Sequence, residues 1–173
     1  RSLIRQIANE PKLRALTSTD PTTLRHFLKS DLLPELQLDA NVDGLVFRNK
    51  QGELVASAAD VHLNLPLLQL ACGPSIRQTL ADGELTEDTI VLVDRLFDVI
   101  SAPIIISDEI SGVLSFATEK SRALAEQYKK LTSSDFAFVA NGRVAASTLS
   151  GDNDPREVVE VFQRSFPPSA SSL

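Results

Sequence analysis

The chain has 173 residues and a mass of 18.8 kDa, enough for one ordinary domain or for one domain and a fragment of a second. Hydrophobic residues make up 43% and charged residues 23%, so disorder is excluded as the main state. The net charge of -6 and the pI near 4.9 argue against a nucleic-acid partner, because phosphate binding needs a basic surface. One cysteine and two histidines exclude a disulfide framework and a thiolate zinc site, and we predict neither a metal nor a cofactor.

The sequence begins at Arg1 and contains no methionine, so we expect it to be a piece of a longer protein whose targeting or anchoring segments lie outside it. Its longest apolar run, 99–106, is far shorter than the ~20 residues that a membrane-spanning helix needs. The segment itself is therefore predicted to lie in water, whether or not the longer protein is anchored to a membrane.

Apolar residues at three- and four-residue intervals predict helix over the first forty residues. Pro11 predicts a break near Glu10. A second helix should begin at Asp20 and Pro21, because aspartate caps a helix N-terminus and proline is favoured in the first turn. We expect it to end near Pro34. The predicted buried stripe of this helix consists of Leu24, Phe27, Leu28 and Leu32.

From residue 41 onward, the hydrophobic period changes to two, which predicts strands. The polar turns between them are too short for the crossovers that parallel strands need, so we predict one antiparallel sheet. The fold class is therefore α+β, with the sheet flanked by a long N-terminal helix and by short helices. The predicted strands lie near 45–49, 53–57, 89–93, 96–106 and 112–118, and the short helices at 66–71 and 74–81.

After the sheet, residues 121–131 predict an amphipathic helix with Leu124, Tyr128 and Leu131 on one side. A second hairpin is predicted from 136 to 147 around Asn141-Gly142, because Asn-Gly is a strong signal for a tight turn. The remaining segments are a predicted helix at 155–166 and a loose polar end at 167–173.

The two hairpins resemble each other. The segments 43–57 and 135–147 each contain an acidic start, an apolar strand, an Asn/Gly turn and an apolar strand that closes on Ala-Ser. Either any two hairpins share such features, or the chain contains a duplicated module whose second copy continues beyond Leu173. The predicted organisation is an N-terminal helical segment 1–40, a first module 41–132, and a second hairpin and helix 133–173.

The order of these elements resembles the Cache superfamily of PAS-like extracytoplasmic sensor domains, most closely the double-Cache sensors of bacterial membrane signalling proteins. This resemblance implies a PAS-like sheet and a periplasmic position between two membrane helices of an inner-membrane protein. It also implies a cytoplasmic output module in the same full-length chain: a histidine kinase, a diguanylate cyclase or a chemoreceptor. The expected partners are a small-molecule ligand, that output module and, in a homodimer, a second copy of the chain. The segments that carry the resemblance are 43–57, 96–104, 112–117, 122–132 and 135–149.

The ligand class does not carry over from the resemblance. The best-known amino-acid-binding pattern of the family uses Trp and Tyr residues together with an Arg and an Asp. This sequence has no Trp, and its one tyrosine, Tyr128, lies on the helix that follows the sheet. An amino-acid ligand is therefore not predicted.

Five polar residues are candidate ligand contacts: His62, Arg77, Asp98, Ser101 and Ser115. Strand alternation sends Ser101 to one face of the sheet and Asp98 to the other. A carboxylate in the middle of a sheet is costly to bury alone. Asp98 therefore lies at an edge position, pairs with Arg95 or Arg48, or anchors a polar or cationic ligand. Ser115, within an apolar strand, is a weaker case of the same kind.

Two of the candidates lie outside the strands. His62 occupies the loop after the first hairpin, a region that borders the pocket in PAS-like folds, and its other interpretation is a plain loop residue. Arg77, on the second short helix, could bind a carboxylate through two hydrogen bonds or could lie on a solvated helix face.

No catalytic motif is present: there is no Gly-x-Ser-x-Gly elbow, no Gly-rich phosphate loop and no His-Glu-x-x-His. We predict surface or packing roles for His26 and a small buried side chain for Cys72. The sequence thus favours a non-enzymatic sensor that signals by a conformational shift through its N-terminal helix. Two alternatives stay open, a cytoplasmic GAF- or PAS-type regulatory domain and a small enzyme with an unfamiliar site.

Overall fold

A computed structural model describes residues 2–17, 20–140, 142–149, 154, 157, 159–161 and 164. The chain divides into two compact units. The first contains the described residues of 1–92 and 97–119, and the second contains those of 93–96 and 120–173. These limits differ from the predicted boundaries at residues 41 and 133. The division of the chain into separate domains at those two residues stays a prediction.

Short helical segments form the N-terminal part of the first unit. They are α1 (Ser2–Ala8), α2 (Pro11–Leu16), α3 (Pro21–Phe27) and α4 (Leu33–Ala40). The break before Pro11 is confirmed, because α1 ends at Ala8. Asp20 caps α3 as predicted, since its Oδ1 accepts hydrogen bonds from the backbone N–H groups of Thr22 and Thr23 at 2.9 and 3.0 Å.

The helix does not end near Pro34, so that prediction was wrong. From α3 the chain passes through a π-helical turn, Leu28–Leu32, directly into α4. Pro34 has no N–H to donate to the carbonyl group of Ser30, and inside a regular α-helix its ring would clash with that carbonyl. The wider π turn, in which the N–H of Leu33 donates to the carbonyl oxygen of Leu28, places the proline in the first turn of α4, where it is tolerated.

The five predicted strands form one antiparallel sheet in the order β2-β1-β5-β4-β3, which confirms the predicted architecture. The strands are β1 (Gly44–Asn49), β2 (Leu54–Ala59), β3 (Thr86–Leu92), β4 (Arg95–Ile106) and β5 (Glu109–Glu119). The central strand β5 pairs with β1 on one side and β4 on the other, so that Ser115 lies opposite both Val46 and Ser101. The third strand begins three residues earlier than the predicted Thr89.

Helices cover both faces of this sheet. The buried stripe predicted for the second helix packs against one face of the sheet, where it forms one core with the strand residues Leu45, Phe47 and Leu114. The prediction that this stripe is buried is therefore confirmed. The opposite face is covered by α5 (Leu65–Ala71) and α6 (Gly73–Asp82). The apolar side chains between this face and the two short helices include Val46, Leu68, Cys72, Ile76, Phe97, Val99 and Val113.

The second unit contains α7 (Arg122–Thr132), β6 (Ala137–Ala140) and β7 (Arg143–Ser147), and β6 and β7 pair as the predicted antiparallel hairpin. The ring of Tyr128 on α7 packs against Phe136 and Phe138, with centroid distances of 5.4 and 6.2 Å. Lys129 Nζ lies 2.6 Å from Asp135 Oδ1 at the start of the hairpin. Aromatic packing and an ion pair therefore hold the hairpin on its helix.

Two sequence predictions fall largely outside the described residues. Of the predicted helix 155–166, only 157, 159–161 and 164 are described, and the predicted loose end 167–173 is not described at all. Among the described residues, no helix has both the length and the apolar character to cross a membrane.

Candidate functional site

Polar side chains are concentrated between α6 and the sheet. Five hydroxyl-bearing residues are buried there, each with an exposed fraction of at most 9%. They form the hydroxyl cluster: Ser75 and Thr79 of α6, Thr86 of β3, Ser101 of β4 and Ser115 of β5. Buried hydroxyl groups must be hydrogen-bonded to offset the loss of water, so their partners decide how this interface holds together.

The three serines form a directed chain of hydrogen bonds. Ser75 Oγ donates to the carbonyl oxygen of Cys72 at 3.1 Å. This uses the single hydroxyl proton of Ser75, so Ser101 is the donor in the 2.9 Å contact between Ser75 Oγ and Ser101 Oγ. By the same reasoning, Ser115 donates to Ser101 across 2.6 Å. The chain runs from β5 through β4 to the N-terminus of α6, with Ser101 in the middle.

Thr79 and Thr86 extend the cluster toward β3. Their Oγ1 atoms are 2.7 Å apart. Thr86 Oγ1 also lies 3.1 Å from the carbonyl oxygen of Ser75, and Thr79 Oγ1 lies 3.3 Å from that of Ser101. The two hydroxyl protons cannot make all three of these bonds at once. Either Thr79 donates to Thr86 and Thr86 donates to the Ser75 carbonyl, or Thr86 donates to Thr79 and Thr79 donates to the Ser101 carbonyl.

Ser101→Ala should lower the free energy of unfolding by about 1–3 kcal/mol, because the hydroxyl proton of Ser115 would be left buried without its acceptor. Ser115→Ala should be less destabilising, since Ser115 ends the chain and Ser101 keeps its bond to Ser75. The double variant should be no less stable than Ser101→Ala alone. Urea denaturation of the three variants measures these differences, and strictly additive losses would contradict a coupled chain.

Two of the five predicted contacts are brought together here, because Ser101 and Ser115 face each other across β4 and β5. Asp98 is on the opposite face of β4, half-buried, where its Oδ1 accepts a hydrogen bond from Thr89 Oγ1 at 3.1 Å. Arg48, one of its two expected partners, instead donates to backbone carbonyl groups. Asp98 is therefore placed apart from the hydroxyl cluster.

The other two predicted contacts, His62 and Arg77, are exposed. The backbone N–H of His62 donates to Oδ1 of Asp60 at 2.9 Å, in the turn that follows β2. Arg77 lies on α6 but on its solvent side, whereas Ser75 and Thr79 point toward the sheet. The structure places neither residue with the hydroxyl cluster, and a ligand role for either stays a prediction.

Sequence reasoning missed Ser75, Thr79 and Thr86. A signal for the first two was present, since Cys72, Ser75, Ile76 and Thr79 recur at the three- and four-residue intervals of one helix face. This face is half apolar and half hydroxylated, so it did not stand out as a buried stripe. Thr86 gave no signal, because it lies before the predicted start of its strand.

A positively charged side chain lies on the same face of the sheet. Arg48 of β1 is half-buried and donates from Nη1 to the carbonyl oxygen of Gly52 at 2.8 Å and from Nη2 to that of Gln69 at 3.1 Å. The thiol of Cys72 is buried beside it. Burial raises the pKa of Cys72 to about 12, although the charge of Arg48 opposes the rise. The thiol is therefore neutral at physiological pH, in agreement with a small buried residue.

Within the described part of the chain, no three His, Cys, Asp or Glu side chains lie close enough together to hold a metal ion. The groups available between the sheet and the two short helices α5 and α6 are hydroxyls, a neutral thiol and one guanidinium. They can donate and accept hydrogen bonds and attract a negative charge.

A five-stranded antiparallel sheet with N-terminal helices on one face and short helices on the other is the fold of PAS-like sensor domains. No family model matches the chain, and no curated protein sequence matches it significantly. Solved structures do. The periplasmic domain of LuxQ from Vibrio cholerae is 19% identical, over 90% of this chain and 74% of that chain, with a TM-score of 0.61.

A second crystal structure of the LuxQ periplasmic domain gives a TM-score of 0.63 at 18% identity, with the same coverage. The sensory domain of the Campylobacter jejuni chemoreceptor Tlp3 is 15% identical over 95% of this chain and 69% of that chain, with a TM-score of 0.47. At such identities the similarity to LuxQ shows the fold alone.

Proposed function

We propose that this chain is a ligand-sensing extracytoplasmic domain of a membrane-anchored bacterial signalling protein. The observation that carries the proposal is the hydroxyl cluster, a chain of buried, hydrogen-bonded polar groups between α6 and the sheet. Packing α6 on the sheet would need only apolar side chains, which require no hydrogen-bond partners. The PAS-like fold and the similarity to a periplasmic domain support the location. The ligand enters between α6 and the sheet and exchanges its own polar groups for those of the cluster.

The signal is a shift between two packings of α6 on the sheet. A ligand that hydrogen-bonds to Thr79 more strongly in one packing than in the other shifts the populations of the two packings. The sheet connects this interface to the N-terminal helices, because adjacent residues of β4 and β5 point alternately to the two faces. Those helices then transmit the shift to a cytoplasmic histidine kinase, diguanylate cyclase or chemoreceptor module. The domain itself performs no catalysis.

A thermal-shift screen of small metabolites tests the ligand site. A ligand present at a hundred times its dissociation constant stabilises the folded state by about 2.7 kcal/mol, which corresponds to a rise of about 5–10 °C in Tm. Thr79→Val keeps the side-chain shape and removes the hydroxyl, and it should abolish the rise caused by any true ligand. The matched control is Thr22→Val, which changes an exposed threonine of α3. A rise that survives in Thr79→Val would place the ligand elsewhere.

The thiol of Cys72 reports the predicted movement of α6. Because burial raises its pKa to about 12 and shields it, the thiol should react with iodoacetamide far more slowly in the folded protein than in urea. A ligand from the screen should change this slow rate, since Cys72 lies where α5 meets α6. Cys72→Ser provides the blank. An unchanged rate with a bound ligand would contradict a shift in the packing of α6.

We also propose that the hairpin β6–β7 opens a second sensor module, as in double-Cache sensors, and that the full-length protein forms a homodimer. An isolated two-stranded hairpin is marginal in water, so β6 and β7 should belong to a larger sheet. The gene should then encode a further meander of about thirty to forty residues after Leu173, before the next membrane segment. A membrane segment directly after Leu173 would instead indicate a single sensor.

A further inference from the structure

The guanidinium of Arg48 is only partly satisfied. Its Nη1 and Nη2 groups donate to the carbonyl oxygens of Gly52 and Gln69, but its Nε is buried and has no acceptor. Nε is the only side-chain nitrogen or oxygen atom among the described residues that is buried and lacks a partner. Native proteins contain few such groups, because each one loses its bond to water without replacement.

The charge of Arg48 is also uncompensated. Its acceptors are neutral carbonyl groups, and none of the described carboxylates forms an ion pair with it. The neighbouring thiol of Cys72 is neutral as well. A half-buried cation without a counter-ion is unfavourable, and among the described residues no carboxylate forms an ion pair with this guanidinium.

A structural role explains part of this arrangement. Gln69 lies in the last turn of α5, whose carbonyl groups have no partner within the helix, and a cation near a helix C-terminus is favourable. Such a cap accounts for the bond from Nη2. It does not account for Nε, which lies on the same side of the planar guanidinium as Nη2 and is available for a second, parallel bond.

We propose that the Nε and Nη2 side of Arg48 binds an oxyanion, a carboxylate or phosphate group of the sensed ligand. The proposal rests on the proposed function, in which the ligand enters below the short helices. Arg48 is two residues from Val46 on β1, and Val46 lies opposite Ser115, so the guanidinium and the hydroxyl cluster share one face of the sheet. A small hydroxylated acid or phosphate ester would match both.

Binding in this way uses one of the two N–H groups of Nη2, the atom that also donates to the carbonyl oxygen of Gln69. Gln69 belongs to α5. Its side chain also donates a hydrogen bond, from Nε2 to Oγ of Ser57 on β2 at 2.8 Å. The oxyanion therefore binds the nitrogen atom that also makes one of the polar contacts between this turn of α5 and the sheet. Ligand binding and the position of the short helices are coupled through this shared atom.

The experiment uses inorganic phosphate, acetate and glycolate as probes, with sodium chloride at equal ionic strength as the reference. At a hundred times its dissociation constant, a bound probe should raise Tm by about 5–10 °C. Arg48→Met should remove this rise, and Arg48→Lys should remove most of it, because lysine cannot make two parallel bonds. Arg25→Met, which removes an exposed arginine of α3, should keep it. A rise with phosphate alone or with the carboxylates alone identifies the anionic group.

The Nε–H resonance of Arg48 gives a second measurement on the unaltered protein. It is assigned by its absence in Arg48→Lys, and it should move downfield when phosphate or acetate accepts a hydrogen bond from Nε. If no probe moves this resonance or raises Tm, or if the rise persists in Arg48→Met, the anion site is overturned and Arg48 is a helix cap.

The outcomes also separate this site from the proposed function. A ligand whose effect is lost in Thr79→Val but kept in Arg48→Met would support the sensing interface and overturn the anion site. Probe binding that depends on Arg48 but leaves the alkylation rate of Cys72 unchanged would support the anion site and contradict sensing through movement of α6.

Discussion

Leu28→Ala is expected to lower the free energy of unfolding by about 2–5 kcal/mol. Leu28 is completely buried, at the start of the π turn, in the core that joins the N-terminal helices to the sheet. Alanine would leave a cavity, because the helix on one side and the strands on the other are held by many other contacts and cannot close around it. The expected fall in Tm is about 4–20 °C. Urea denaturation followed by circular dichroism measures the loss directly.

Leu38→Ala is the matched control. It makes the same change on α4, a few turns further along, where the side chain is 86% exposed. Its effect on the free energy of unfolding should stay within about 0.5 kcal/mol. Equal stabilities of the Leu28 and Leu38 variants would mean that the N-terminal helices do not pack on the sheet, and the route proposed for the signal would lose its step from the sheet to these helices.

The sheet and the first face of its core could be predicted from the sequence because both depend on periodicity. Leu24, Phe27, Leu28 and Leu32 repeat at helical spacing, and all of them are buried as predicted. The effect of Pro34 could not be predicted in the same way. Proline restricts its own helical turn, but whether the chain stops or widens into a π turn depends on the packing of Leu28 and Leu32 in the core, which is a tertiary effect.

Members of the candidate site could be predicted from the sequence only where a polar residue interrupts a single apolar strand. Ser101 and Ser115 interrupt apolar strands, and alternation places each on the face toward α6. Their partners in the cluster, Ser75 and Thr86, are distant from them in sequence and come into contact only when the chain has folded. Arg48 was expected only as a partner for Asp98, since an arginine near the end of a strand is ordinarily solvated. Its significance comes from a missing acceptor, which no sequence pattern shows.

Gly112→Ala should be a second strongly destabilising substitution, lowering the free energy of unfolding by about 1–3 kcal/mol or more. A Cβ atom at Gly112 of β5 would lie 2.5 Å from the backbone oxygen of Arg48 and 2.6 Å from Cζ of Phe47. The first of these atoms belongs to the backbone of the paired strand, so β1 would have to move away from β5. Because Arg48 is on the displaced segment, the response of Tm to phosphate or acetate should also be lost.

Gly73→Ala separates this steric effect from the general effect of replacing a glycine. A Cβ at Gly73, the first residue of α6, meets only Nη1 of Arg77 at 3.4 Å, the mobile end of an exposed side chain. Alanine there should leave stability unchanged or raise it by up to about 1 kcal/mol, since it restricts the unfolded chain and favours the helix. If Gly112→Ala were as stable as Gly73→Ala, the close approach of β1 and β5 would be wrong. The placement of Arg48 on the same face of the sheet as the hydroxyl cluster depends on that strand pairing, so the anion site would then lose its geometric basis.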